Sequence, residues 1–516
     1  MKIILTTTPQ AEGDLERAGL PFLGIGYIAR HLLDDGHEVK IIDAHTHLWD
    51  VEQAASEILK LEPDAVGVTG STNNRFQAID LIRELKQRKS DLFVFAGGAH
   101  FSLTHKDAME KVPELNAIVR GEGEVTTVEL LQAVGGRRAF GDVLGITYRN
   151  AGIAGDVGVV NDSCDSRVSS DSRTLSDSNA SNGSNIIINP DRPLTHNLDD
   201  LMTPAWELFD MELYQRKMDD TDIRSIGVIS SRGCPNRCVF CSNAAFGLGR
   251  LRLRSPEKFI DEVEYLYKNF GYKGFDFWDD TMTVSKEHVR LICQEIKKRG
   301  LDIKWYARAR VNTVDKELLK TMYDAGCIRI SYGVESGSPR ILKIIKKNIT
   351  LEQVRQAVKW SSEVGMMVTV NFMVNLPYET RDDLGMTVSM IKELKKIERV
   401  NPCYGFTIVY PGTEMEAWAR KEGWIPAGFS WNVPYESKKY KIAGVDKSLP
   451  LLEMPALRPG SGSSRMEIEK VKAYMTKELG DRRGLVRKGW VKLGKVKSWG
   501  EFVALVKTAK NIFLAK

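Results

Sequence analysis

The stretch Ser231–Ser242, S-R-G-C-P-N-R-C-V-F-C-S, holds three of the seven cysteines, Cys234, Cys238 and Cys241, in the spacing C-x3-C-x2-C. A strand-like run, Ser225–Ser230, leads into it, and Gly233 and Pro235 then break regular structure. A loop at a strand end can turn three thiolates toward one centre. Soft sulfur ligands select iron–sulfur clusters, zinc or copper(I). Three local ligands are one short of a structural zinc site. A cubane iron–sulfur cluster tolerates that deficit, because three irons take cysteine and the fourth stays open.

The bulk numbers frame this cluster. A chain of 516 residues exceeds one ordinary core and implies two or three domains. With 42% hydrophobic and 27% charged residues it falls among globular proteins, not fibrous or disordered ones. A net charge of +5 is mild and argues poorly for nucleic acid. Met1–Thr8 runs into a strand pattern without a signal-peptide layout, and no run of 18 apolar residues suggests a membrane span. Cys164, Cys293, Cys327 and Cys403 are scattered, which points to a reducing cytoplasm and against an auxiliary cluster.

Residues 1–150 alternate short apolar strands with helices: strands at 2–7, 38–42, 65–70, 92–96 and 116–120, helices at 21–33, 51–61, 76–88 and 126–134. That alternation predicts a doubly wound parallel sheet with ligands beyond the carboxyl ends of its strands. The loops there are Thr8–Ala11, Thr69–Asn74, Gly97–His100 and Gly121–Glu124. Leu144–Asn150 is expected as an edge strand, and Asn161–Asn185, rich in Ser, Asp and Asn, as a disordered insertion within a linker over 151–219. The aromatics Trp206, Phe209 and Tyr214 are expected to pack between domains. Over 220–430, six strands (227–230, 274–278, 303–307, 329–334, 367–373, 404–410) alternate with helices, as in a partial (β/α)6 barrel. A mostly helical extension, 431–516, follows. Its basic end, 500–516, could form an amphipathic helix on an anionic membrane or pack on the barrel.

The cysteine spacing, with Phe240 before its last member, resembles the signature of the radical S-adenosylmethionine (SAM) enzymes. Later segments also match that family: F-W-D-D-T-M-T (Phe277–Thr283), S-Y-G-V-E-S-G-S (Ser331–Ser338), N-F-M-V-N-L-P-Y-E-T (Asn371–Thr380) and Y-P-G-T-E (Tyr410–Glu414). Residues 1–150 resemble the cobalamin-binding domain of one large subclass through P-F-L-G-I-G-Y-I-A (Pro21–Ala29), G-H-E-V-K-I-I-D (Gly36–Asp43), G-G-A-H (Gly97–His100) and G-E-G-E (Gly121–Glu124). The cobalt-ligating D-x-H-x-x-G motif is absent.

The resemblance implies a [4Fe-4S] cluster on Cys234, Cys238 and Cys241. It places Phe240, Asp279, Asp280, Glu335 and Ser336 near SAM, and Arg308 and Arg310 on the SAM carboxylate or a substrate acid. Asn375 stands where the family commonly has glycine. Cobalamin would rest on Thr69, Ser71, Thr72, Gly97, Gly98, Gly121, Glu122 and Gly123, with His100 either near its nucleotide tail or at the surface. The implied activity is methylation of an unactivated carbon in a small molecule, lipid or cofactor precursor, using methylcobalamin and a low-potential donor such as ferredoxin or flavodoxin, without nucleic acid. Oxidative ring closure on a porphyrin ester, as in the similar anaerobic cyclases, and a non-catalytic carrier are the alternatives. A methylthiolating enzyme fits less well without an RNA-binding appendage.

Overall fold

The computed structural model describes residues 1–10, 19–150, 185–219, 221–246, 249–435 and 468–479. They form two compact units, Met1–Tyr214 and the remainder from Gln215. The expected insertion, Cys164 and the basic tail lie outside the described residues.

In the first unit the strands β1 (Lys2–Thr6), β2 (Glu38–Ile42), β3 (Ala65–Thr69), β4 (Phe93–Gly97) and β5 (Ala117–Val119) run parallel in the order β2-β1-β3-β4-β5. Helices α1 (Leu23–Asp34), α2 (Val51–Leu59), α3 (Arg75–Arg88), α4 (Ala99–Lys111) and α5 (Gly123–Val134) connect or follow them. The strands read as short apolar runs because helices cover both faces: Ile3, Ile4, Val66, Val94 and Ile118 are fully buried. The chain order reverses between β1 and β3, which opens a crevice at their carboxyl ends. There the Asn74 amide donates to Thr8 Oγ1 at 2.8 Å and ties the two loops together.

Two sequence expectations change here. Helix α4 was not foreseen; its sequence A-H-F-S-L-T-H-K-D-A-M-E-K has a weak apolar stripe, and Thr104 departs from helical geometry. Strand β6 (Ile146–Arg149) is not an edge, since it pairs antiparallel with β5 and with β7 (Ile186–Ile188). Trp206, Phe209 and Tyr214 are buried. A Cβ on Gly26 of α1 would lie 2.9 Å from both Phe209 and Pro204, and the Tyr214 hydroxyl donates to Asp43 at 2.7 Å.

The second unit is a six-stranded, all-parallel sheet with sequential order: β8 (Ser225–Val228), β11 (Gly274–Phe277), β12 (Lys304–Ala309), β13 (Cys327–Glu335), β14 (Met367–Val374) and β15 (Val400–Phe406). Strands β8 and β15 are its edges. A two-stranded ribbon, β9 (Ser231–Arg232) with β10 (Arg252–Leu253), flanks the cysteine loop, and the short α6 (Ser242–Ala245) leaves it. Helices α7 (Pro256–Phe270), α8 (Lys286–Lys298), α9 (Lys316–Asp324), α10 (Pro339–Ile344), α11 (Leu351–Glu363), α12 (Arg381–Leu394), α13 (Glu414–Lys421) and α14 (Ile468–Leu479) complete it. Pro256 starts α7, and Thr350 with Gln353 forms a capping box on α11. Strand β15 begins four residues before the expected 404, because Asn401, Cys403 and Gly405 are exposed and blur the apolar run.

Alternation along the strands divides this sheet into two faces. Phe277 stacks on Trp305 at 4.7 Å and meets Phe259 of α7 edge-on, so this face carries the helices. Phe277→Ala should cost about 3–5 kcal/mol of stability, read as a lower denaturant midpoint for the second unit with the first unit's transition unmoved.

Candidate active site

The cysteine loop leaves the carboxyl end of β8 and is held by the residues that end β11. Asp279 is fully buried. It accepts from the Ser230 hydroxyl at 2.8 Å, the Ser230 N–H at 3.3 Å and the Ser231 hydroxyl. Burial pushes its carboxyl above the ordinary value, and those donors oppose the shift. Asp280 accepts the N–H of Gly233, the residue before Cys234, at 2.9 Å. Gly233 has φ +90°, a conformation glycine adopts without cost. Both carboxylates therefore grip the loop's base. Thr281 Oγ1 lies 3.5 Å from Cys234 Sγ, and the Asn236 amide donates to that sulfur at 3.2 Å.

A second grip comes from the segment after α10. Val239 N–H donates to Ile345 O at 3.2 Å, and Cys238 Sγ lies 3.8 Å from Lys346 O. Arg310 is buried, donates to Lys347 O and reaches Cys238 Sγ at 3.7 Å. Lys347, which sequence reading missed, is itself buried and pairs with Glu335 at 2.8 Å. Its ammonium lies 5.8 Å from the Phe240 ring. Ser336 is fully buried and turns inward, 3.3 Å from Thr387 Oγ1 and accepting from Ser338 N–H at 3.1 Å. It braces the loop after β13, whereas Glu335 and Lys347 present a carboxylate beside an ammonium.

Among the described residues, no three His, Cys, Asp or Glu side chains converge on a point that would hold a single metal ion. The thiols are near neighbours all the same. Burial raises the Cys241 thiol, and Cys238, Asp280 and Cys234 add to the rise against the Asn243 N–H. Three soft donors close together on one loop suit a cube in which each sulfur ligates a different iron.

Asn375 takes φ +64°, a left-handed conformation that glycine adopts freely and asparagine tolerates. Its N–H donates to Glu379 Oε2 at 2.7 Å, joined by Leu376 N–H at 3.3 Å. The other oxygen, Oε1, is buried with no partner among the described residues. Burial pushes Glu379 up to about 8.

In the first unit, Thr69, Ser71, Thr72, Gly97, Gly98 and Gly121 gather at the carboxyl ends of β3, β4 and β5. A Cβ on Gly121 would meet nothing within 4 Å, which leaves open space at the sheet's ligand edge, whereas one on Gly97 would make an ordinary contact with Val119 O at 3.6 Å. Gly98 packs tightly instead; a Cβ there would lie 2.7 Å from Thr69 Oγ1. Glu122 turns away to accept Thr195 N–H at 2.8 Å, and Gly123 opens α5. His100 is not a surface residue: it is fully buried in the first turn of α4, 3.2 Å from Thr72 Oγ1. This open, small-residue edge fits a large flat cofactor.

The B12 binding domain model matches residues 19–131 and the radical SAM superfamily model residues 228–391. An uncharacterised methyltransferase of Pyrococcus horikoshii is 33% identical over 422 residues, covering 81% of this chain and 83% of that protein. The chain belongs to the cobalamin-binding radical SAM family. It is a radical SAM enzyme, and its cofactors are a [4Fe-4S] cluster, SAM and cobalamin. The anaerobic magnesium-protoporphyrin IX monomethyl ester cyclase of Rubrivivax gelatinosus is 28% identical over 400 residues, 76% of this chain and 66% of the cyclase. In fold, the chain is similar to the cobalamin-dependent SAM radical enzyme OxsB with aqua-cobalamin and SAM bound, with a TM-score of 0.68 at 17% identity over 99% of this chain and 70% of that one.

Two outcomes test the grip. A hydrogen bond to a charged acceptor is worth about 1.5–3 kcal/mol, so Asp280→Ala should lose iron on desalting about ten-fold faster than the parent, with Asp280→Asn between them. Glu379 has a folded pKa above its unfolded value, so the folded state binds the extra proton. Its contribution is full below the unfolded pKa of about 4.3 and is lost as pH rises toward about 8. Denaturant midpoints from pH 5 to 9 should fall less in Glu379→Gln than in the parent.

Proposed function

We propose that the protein is a cobalamin-dependent radical SAM C-methyltransferase acting on an unactivated carbon of a small molecule, lipid or cofactor precursor. The observation that carries this reading is the cysteine loop: Cys234, Cys238 and Cys241 on one short segment that Asp280, Arg310 and the Ile345–Lys347 backbone hold in place. The methyltransferase of Pyrococcus horikoshii supports the methyl-transfer outcome.

When bound, the cluster and SAM supply a 5'-deoxyadenosyl radical, and cobalamin supplies the methyl group. The chain's own residues bind and orient. Cys234, Cys238 and Cys241 would hold the cluster through one loop, which leaves an iron free for SAM. Glu335 and Lys347, 2.8 Å apart, match the ammonium and carboxylate of an amino acid in charge. Arg310, whose guanidinium is committed to Lys347 O and Cys238, would steady this pair and add positive charge beside a cluster ligand. Thr69, Ser71, Thr72, Gly97, Gly98 and Gly121 would line the cobalamin edge. Radical SAM chemistry needs a reductant, here a low-potential ferredoxin or flavodoxin. Among the described residues no helix is long and apolar enough to cross a membrane; a cytoplasmic site of action is part of the proposal.

The likeness to the Rubrivivax gelatinosus cyclase favours a second reading, oxidative ring closure on a porphyrin ester. Methyl-labelled SAM in anaerobic cell extract separates the two. Label in a small-molecule product supports methyl transfer, whereas an unlabelled keto ring product sinks it. Cys238→Ala should abolish deoxyadenosine formation while the cobalamin absorbance stays with the protein; retained SAM cleavage would overturn the cluster assignment.

A further inference from the structure

Arg308 and Arg310 sit two residues apart on and just beyond β12, yet they have different surroundings. Arg310 is 4% exposed and spent on the cluster loop. The Arg308 side chain is 43% exposed. Since Phe277 and Trp305 define the helix-covered face, Asp276, Trp278, Tyr306 and Arg308 project from the opposite one. The Trp278 ring crosses over to β8 on that face, where a Cβ on Gly227 would lie 3.6 Å from it.

The donors of Arg308 are only partly used. Nη1 donates to Asp276 Oδ1 and to Phe277 O, both at 3.1 Å, and Nη2 donates to Asp276 Oδ2 at 3.4 Å. A guanidinium has five N–H groups, so among the described residues Nε–H and the second Nη2 N–H remain along one edge, spaced for two oxygens of an oxyanion. Arg216, 41% exposed, lies 3.6 Å from the same Asp276. Two guanidinium groups thus share one carboxylate, and a positive charge is left over. Beside it, Trp278 is 40% exposed, a large apolar area for a side chain of a barrel sheet, with the Arg308 guanidinium 5.5 Å from its ring.

We propose that this face reads the substrate through an oxyanion, a carboxylate or phosphoryl group seated on the free edge of Arg308, with the adjoining carbon skeleton against Trp278. The proposal rests on the radical SAM methyltransferase reading, because it makes this sheet face the place where the target is held. It sets a substrate class: an acid with an apolar body, not a neutral hydrocarbon.

The test uses the full-length protein, anaerobic and reconstituted with cluster, cobalamin and SAM. Phenylphosphonate, phenylacetate and neutral phenylacetamide are titrated by calorimetry. At least one anion should bind about ten-fold more tightly than the amide, and the tighter one tells phosphoryl from carboxylate. Arg308→Gln should lose about ten-fold for that anion, Arg308→Lys less because it keeps charge without the fork, and Trp278→Leu should weaken both anions. If Arg308→Gln does not fold, Arg308→Lys and Trp278→Leu carry the test. Equal binding of anion and amide, absent anion binding, or variants indistinguishable from the parent would overturn the proposal. Deoxyadenosine formation by the parent is measured in the same preparation. If it is absent while Arg308-dependent anion binding persists, the radical reading fails and the anion site stands; the converse sinks this proposal alone.

Discussion

Two adjacent carboxylates at the end of β11 set the position of everything built on the cysteine loop. Asp279 fixes the backbone and hydroxyls of Ser230 and Ser231, and Asp280 fixes Gly233. The loop carries the three thiols but has little regular structure of its own, only the two-residue β9. Its shape is borrowed from neighbours. The carboxylates hold its start, while Ile345–Lys347 and Met415, whose N–H bonds Val239 O at 2.9 Å, hold its middle. Asp279, fully buried, is stable there because it accepts three donors, whereas Asp280 grips Gly233 from an exposed position.

Most of the unusual backbone of this unit gathers at the same end of the sheet, with Arg399, just before β15, the exception. Glu335, Lys346, Asn348, Asn375 and Tyr378 all take positive φ. They lie at or beyond the ends of β13 and β14 or in the turn after α10, where the chain must double back to present side chains. Non-glycine residues in that region cost stability, of order 1 kcal/mol or more each. The burial of the surrounding loops offsets it.

Much of the fold was legible because parallel strands covered on both faces leave short apolar runs between helical ones. All six barrel strands and the five parallel strands of the first sheet could be placed from that alternation. The cluster ligands were legible because their spacing is local. What stayed hidden depends on distance in the chain. Lys347 lies twelve residues from Glu335, and no local pattern joins them. Asp279 and Asp280 were readable as acids near SAM, yet their partners sit about 47–49 positions earlier. Helix α4 was missed because its apolar residues do not fall on one stripe, and with it the burial of His100 in its first turn. Asn375 shows the opposite case: the sequence departs from glycine, yet the backbone takes a left-handed conformation that glycine would adopt freely.

The hairpin of β6 and β7 has a bearing on how the chain tolerates change. Asn150 N–H bonds Asn185 O at 2.7 Å, so the two ends of the 34-residue stretch between them are clasped by the sheet itself. Closing a loop costs entropy that grows only logarithmically, about 0.6 kcal/mol for each doubling of length. With the clasp in place, that stretch can lengthen or shorten across generations at almost no expense to the folded unit, and a reporter domain spliced there would leave the surrounding strands in register.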